Sequence, residues 1–170
     1  MKVMSRLSWT LLVTLPLVAF AATKSPDESF YKAAAEGGLA EVQQGQLAAD
    51  KGQSQAVKDF GSQMVRDHSA VNEKLKAVAA TKGIDLPTSP SLAQVASIDK
   101  LKVLSGDTFD KSYIKGMVED HEKDIAAFQK EAQSGQDPDA KSFASAALPT
   151  LKMHLAKIRA IASAAGLGAK

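Results

Sequence analysis

The sequence predicts an all-α protein: a four-helix bundle with a long crossover between helices 2 and 3 that carries a short extra helix. Two observations predict it. Four long segments place apolar residues three and four apart, each opened by helix-start and closed by helix-stop chemistry. The first and last joints between them are only a few residues long, whereas more than 20 residues join the second segment to the third. Short joints make antiparallel neighbours, and a long one lets the chain travel back along the bundle before the next helix begins.

The first 21 residues stand apart. Lys2 and Arg6 give a basic start, and residues 7–20 form an apolar run too short to span a bilayer comfortably. Ala19-Phe20-Ala21 then offers small residues where a signal peptidase reads. Residues 1–21 are expected to be a signal peptide cleaved between Ala21 and Ala22, leaving residues 22–170 as one domain in the periplasm or outside the cell. Without Lys2 and Arg6 the remaining chain has 19 basic and 19 acidic residues. That balance argues against a nucleic-acid binder, which needs a clustered basic surface. No later segment approaches the roughly 20 apolar residues of a membrane-spanning helix, so the product is not expected to be membrane-integral. The absence of cysteine leaves neither a lipid-anchored lipoprotein nor a disulfide scaffold.

The first helix is expected over residues 26–51, with Ser25 as N-cap, Pro26 at the first helical position and Glu28 closing a capping box. Its inward stripe is Phe30, Ala34, Gly37, Glu41, Gly45 and Ala48, whose small residues permit a close helix contact. Ser54 caps a second helix running to about Lys82, with Val57, Phe60, Met64, His68, Val71, Leu75 and Val78 inward and Gly83 as C-cap. Residues 85–90, with Pro87 and Pro90, cannot be regular helix, and the short crossover helix is expected over residues 97–105, presenting Ile98, Leu101 and Leu104. The third long helix starts near Asp107 as its cap and ends near Gly135, with Phe109, Ile114, Met117, Val118, His121, Ile125 and Phe128 inward. Asp137-Pro138 opens the fourth, which ends at Gly166 and points Phe143, Ala147, Leu151, His154, Ile158 and Ile161 inward. Pro149 should kink this helix or start its second half.

The three histidines of the chain, His68, His121 and His154, fall midway along three different helices, each on the apolar stripe. Glu41 occupies the matching place on the fourth. With a rise of about 1.5 Å per residue, the four stay level to within about 4 Å whichever way each helix points. One ligand-type side chain per helix would then converge at the centre of the bundle. Three imidazoles and a carboxylate without thiolate suit one ion of zinc, copper, iron or manganese, and nothing points to an organic cofactor. The bland alternative is a set of buried histidines satisfied by hydrogen bonds. Such a cluster has a cost, because imidazolium charges could not coexist there and each neutral ring would still need partners.

Asp67 and Asp120 precede His68 and His121 and so point about 100° away around the helix, from where each could accept from a histidine on a neighbouring helix. The alternative is a solvated carboxylate at a helix boundary. Met64, Met117 and Met153 stand near the histidines and read as core filler. Glu36, Glu73, Glu119, Glu122 and Asp124 read as helix surface with lysine partners. There is no Gly-x-Ser-x-Gly elbow and no glycine-rich phosphate loop, so no nucleophilic or phosphoryl-transfer chemistry is indicated.

Met64-Val65-Arg66-Asp67-His68 recurs as Met117-Val118-Glu119-Asp120-His121. With residues 35–42 (AEGGLAEV), 46–48 (QLA), 60–68 (FGSQMVRDH) and 109–114 (FDKSYI), and Leu148-Pro149 before His154, these motifs resemble the bacterial exported family called domain of unknown function 4142. That family is often labelled "predicted outer membrane protein". The resemblance covers residues 27–164 and implies a ferritin-like bundle, but no function. Di-iron ferritin-like sites use a Glu-x-x-His from each of two helices. Here Val65, Val118 and Leu151 stand three residues before the histidines, so the bridging carboxylates are missing and at most one metal, held mainly by imidazole, is expected. The reading is an exported bundle that binds, stores or senses a transition metal at Glu41, His68, His121 and His154. The alternatives are a metal-free envelope-stress or protein-interaction module with a structural polar core, and a metalloenzyme whose substrate nothing in the sequence names.

Overall fold

The computed structural model describes residues 27–168. Among them there are five helices and no strands: α1 (Glu28–Lys51), α2 (Gln55–Thr81), α3 (Leu92–Val103), α4 (Gly106–Ser134) and α5 (Pro138–Ala164). The expected signal peptide and the Ser25-Pro26 helix start lie outside the described residues. Within them, Asp27 is the N-cap of α1, and its carboxylate spans to α5 by accepting from the backbone N–H of Gln136 (2.7 Å) and Asp137 (2.6 Å).

Contacts at the helix ends fix the connectivity. The start of α1 meets the start of α5 where Tyr31 donates to Asp137, and Lys82, just past the end of α2, reaches the same carboxylate at 2.8 Å. At the opposite end, Asp110 near the start of α4 accepts from the backbone N–H groups of Gln53 and Ser54, just ahead of α2, both at 2.8 Å. Helices α1 and α5 therefore point one way, and α2 and α4 the other. The long connection returns the chain from the end of α2 to the start of α4, with α3 lying against α1 and α4.

Most boundaries follow the local chemistry. Ser54 Oγ accepts from Val57 N, and Gly83 takes a positive φ of 63° just past α2, where Ile84 N bonds back to Ala79 O. Two starts differ from expectation. The crossover helix begins at Leu92, because Ser91 and Gln94 form a capping box after Pro90, and so it has an extra turn ahead of Ile98. Helix α4 begins at Gly106 behind Ser105, and Asp107 instead pairs with Lys111 at 2.6 Å. Helix α5 runs through Pro149 without interruption. Pro149 and Ser145, whose carbonyl loses its bond there, are both exposed, so water can take that carbonyl.

The small residues of α1 do bring two backbones together. A Cβ at Gly61 would stand 2.5 Å from Gly45 O, and one at Gly45 would stand 2.8 Å from Gly61 O. The early part of the α1 stripe is displaced by one position: Tyr31, Ala35 and Gly38 are buried, while Phe30, Ala34 and Gly37 are half-buried. The core has two apolar halves. One holds Tyr31, Leu75, Phe128, Phe143 and Leu151; the other holds Val57, Phe60, Met64, Phe109, Tyr113, Met117 and Ile158. Buried polar side chains, among them Glu41, His68, Asn72, His121 and His154, lie at the middle of the long helices between them.

Candidate metal centre

His68 from α2, His121 from α4 and His154 from α5 meet in this middle layer, 3%, 0% and 0% exposed. Their ring centroids are 5.2–5.7 Å apart, and one ring nitrogen of each lies within 4.8 Å of the others. Phe60 packs against both His121 and His154, its ring centroid 6.3 Å from each.

One nitrogen of each ring meets an acceptor. His68 Nδ1 lies 2.8 Å from Glu41 Oε2. His121 Nδ1 lies 2.9 Å from the Met117 carbonyl oxygen and 3.6 Å from Glu41 Oε1. His154 Nε2 lies 2.8 Å from Asp67 Oδ2. Burial pushes His68 down to about 4. Burial also lowers His121, against the pull of Glu41 and with His68 and His154 adding to it. It lowers His154 too, against the hydrogen bond to Asp67. The three rings are therefore neutral at neutral pH, and the outer acceptors decide their tautomers. His121 donates through Nδ1, His154 through Nε2 and His68 through Nδ1.

What remains is His68 Nε2, His121 Nε2 and His154 Nδ1, all buried and none with a hydrogen-bond partner in the protein. Each presents a lone pair and none presents a proton. One nitrogen from each ring, mutually within 4.8 Å, encloses a point no more than about 2.8 Å from each, so an ion needing about 2.0–2.1 Å requires each nitrogen to move in by up to roughly 0.7 Å. Rotation of the rings about their outer hydrogen bonds can supply that.

Glu41 and Asp67 have different places from one another. Glu41 is buried with the histidines, but its oxygens face the donating nitrogens of His68 and His121, on the side of the rings away from the unpartnered atoms. The group that converges is three histidines, with Glu41 behind two of them. Asp67 stands behind the third; against the burial that would raise it, hydrogen bonds from His154 and Gln63 hold its carboxyl below the usual range. Asp120 makes no hydrogen bond to a histidine among the described residues, and Lys123 Nζ lies 3.9 Å from it. Burial raises its carboxyl.

Two residues of the layer were not anticipated. Asp124, expected on the surface with a lysine partner, is instead half-buried and lines the same small cavity as Glu41; burial, then Glu41 and Asp120, push it well above the usual carboxylate range. Burial also raises Glu41, against the pull of His121. Asn72, buried on α2, was missed as well. Both were legible in principle, three residues after His121 and four after His68, where a helix returns to the same face. Of the methionines near the histidines, Met64 and Met117 are core filler, and Met153 is 48% exposed because its neighbour His154 takes the inward position.

The sequence model of the domain of unknown function DUF4142 matches residues 14–161. The chain belongs to that family. Among solved structures, the DUF4142 chain is similar to a DUF305 protein of Streptomyces coelicolor, described as a candidate secreted protein, with TM-score 0.72 and 12% identity over 86% of this chain and 98% of that one. It is also similar to a DUF305 fragment from Deinococcus radiodurans, with TM-score 0.70 and 13% identity over 82% and 97% of the two chains. At such identities the likeness is one of fold. No curated protein matches the sequence. No helix among the described residues is long and apolar enough to cross a membrane.

Proposed function

We propose that this DUF4142 protein is an exported, ferritin-like bundle that binds one transition-metal ion through His68, His121 and His154, for storage, sensing or handling of metal without turnover. The observation that carries this reading is the set of three buried, unprotonated nitrogens left without a partner while the opposite nitrogen of each ring is held by an acceptor. A histidine whose far N–H is tied to a carboxylate or carbonyl is the usual arrangement behind a metal ligand, since the acceptor fixes the tautomer and raises the basicity of the ligating nitrogen. Glu41, Asp67 and the Met117 carbonyl fill that role, which makes Glu41 an orienting group instead of the fourth ligand its register suggested. Zinc, copper(II), iron and manganese all accept imidazole, and zinc's liking for four ligands in a small site suits a three-histidine face completed by water.

Binding without turnover fits the burial of the rings and the small size of the cavity beside His68, about 20 Å³, room for roughly one water. Export rests on the basic start, apolar run and small-residue pair of residues 1–21, and on the description of the Streptomyces neighbour. The ferritin-like assignment rests on two antiparallel pairs joined by one long crossover.

Elemental mass spectrometry tests the proposal on untagged protein exported to the periplasm and purified without chelator. About one zinc, copper, iron or manganese per chain, lost when all three histidines are replaced, is the expected result. Clean wild-type protein that holds none, and shows no thermal shift with any of the four, would leave the histidines as a structural polar core.

A further inference from the structure

A second polar layer lies one turn from the histidines, towards the end of the bundle where α1 and α5 begin. Asn72 follows His68 by four residues, Asp124 follows His121 by three, and Thr150 precedes His154 by four. Because α2 and α4 run one way and α5 the other, all three steps carry the layer in the same direction along the bundle. With Glu41 and His68 these residues line a cavity of about 20 Å³, room for roughly one water-sized occupant.

The donors around this cavity are oxygens, and they are under-used. Asn72 is 8% exposed and Glu41 4% exposed, and each leaves a buried side-chain oxygen, Asn72 Oδ1 and Glu41 Oε1, without a hydrogen-bond partner in the protein. Asp124 adds a second carboxyl to the same lining. The α1 backbone makes way for the amide, since a Cβ at Gly38 would collide with Asn72 Oδ1. Two carboxyl groups and an amide oxygen thus share a cavity otherwise walled mainly by apolar side chains, with two buried oxygens that no protein donor occupies.

We infer that this cavity is a second cation site, taking a hard divalent ion such as Mn²⁺ on Glu41, Asp124 and Asn72 Oδ1, with the Thr150 hydroxyl or water completing the shell. Oxygen donors favour hard cations, whereas the three imidazoles one turn away favour borderline ions such as zinc, so with zinc on the histidines Mn²⁺ is directed to the oxygen site. The inference shares Glu41 with the histidine centre but does not depend on that centre being filled.

The test titrates Mn²⁺ into the zinc-loaded exported chain and follows loss of the free-ion signal by electron paramagnetic resonance, with circular dichroism to confirm folding. Wild type should take up one Mn²⁺ per chain. Asp124→Asn and, independently, Asn72→Leu should each weaken that uptake by about tenfold or more while zinc content stays the same. Folded wild type that takes no Mn²⁺ at millimolar concentration would overturn the inference and assign the cavity to water. Uptake unaffected by both substitutions would overturn it equally, by placing the ion elsewhere. A chain that takes no zinc, copper or iron, and binds Mn²⁺ in a way that depends on Asp124 but not on His121, would defeat the histidine reading and leave this one standing.

Discussion

His121→Leu separates a metal centre from a structural polar core, because the two readings give it opposite signs in the absence of metal. His121 is fully buried, Nε2 has no partner, and Nδ1 bonds the Met117 carbonyl within the same helix. Leucine removes a buried unsatisfied acceptor, worth about 1–3 kcal/mol of penalty, at the loss of one local hydrogen bond worth about 1 kcal/mol. In chelator the variant should therefore match wild type or exceed it by up to about 2 kcal/mol, and a domain of this size gains about 2–4 °C in Tm per kcal/mol. Metal reverses the order. Free ion at 100 times its Kd adds about 2.7 kcal/mol to wild type, a rise of roughly 5–10 °C, and should add nothing to the variant. Differential scanning calorimetry with EDTA and then with zinc reads both arms. A chelated variant that melts more than about 4 °C below wild type, together with no zinc-induced rise in wild type, would refute the reasoning and mark His121 as a satisfied core residue.

Other predictions follow from single contacts. Asp67→Ala removes the acceptor behind His154 and should weaken metal binding by about 10–100-fold at unchanged stoichiometry, measured by competition with a chelating dye. Asp120→Ala, with no histidine to orient, should change it by no more than a few-fold. Burial first, then Asp27 beside it, raises the Glu131 carboxyl to about 7. A raised carboxyl stabilises the fold while protonated, fully below its ordinary value near 4.5, and this is lost as pH rises through about 7. Glu131→Gln should thus raise Tm at pH 8 and leave it unchanged at pH 4; equal shifts at both would count against that assignment. Gly61→Ala should cost about 1–3 kcal/mol, because its Cβ would press on the α1 backbone, whereas Gly116→Ala, with nothing within 4 Å, should be neutral or stabilising by up to about 1 kcal/mol. Urea melts of the pair check both signs.

The fold was legible because its determinants are local: helix periodicity, Ser54 and Asp137 caps, Gly83, and one joint too long to be a turn. The convergence of the histidines was legible for the same reason, since mid-helix positions on apolar stripes stay level in any bundle. What was not legible depends on how the helices rotate about their own axes. A stripe gives the inward face to within about one position, and one position decides whether a carboxylate ligates an ion or orients a ligand. Glu41 was placed at the right height, but the side of the imidazole it touches is set by side-chain rotamers. Asp124 was lost because charge on a helix is ordinarily solvated, and nothing local reveals that Glu41 faces it from another helix.

The repeated Met-Val-x-Asp-His motif shows how little an identical local sequence fixes by itself. Both copies bury their methionine and histidine, because three- and four-residue spacing puts both on the inward face of α2 and of α4. The aspartates diverge. Asp67 projects from α2 toward His154 on α5, whereas Asp120 projects from α4 to the side where Glu41 and Lys123 lie. α4 has no histidine to meet on that side, since the remaining long helix, α1, brings a carboxylate instead. With three histidines on four helices, one position of the layer must differ, and α1 supplies a residue that can only accept. That asymmetry leaves the N–H of His68 with an acceptor on Glu41, while its other nitrogen stays buried and unpartnered, as one does on α4 and one on α5. A fourth histidine at position 41 would remove that acceptor and place a further neutral ring where the negative charge now stands. Glu41→His should therefore loosen metal binding even though it adds an imidazole, and a variant that binds zinc more tightly than wild type would show that residue 41 ligates the ion directly.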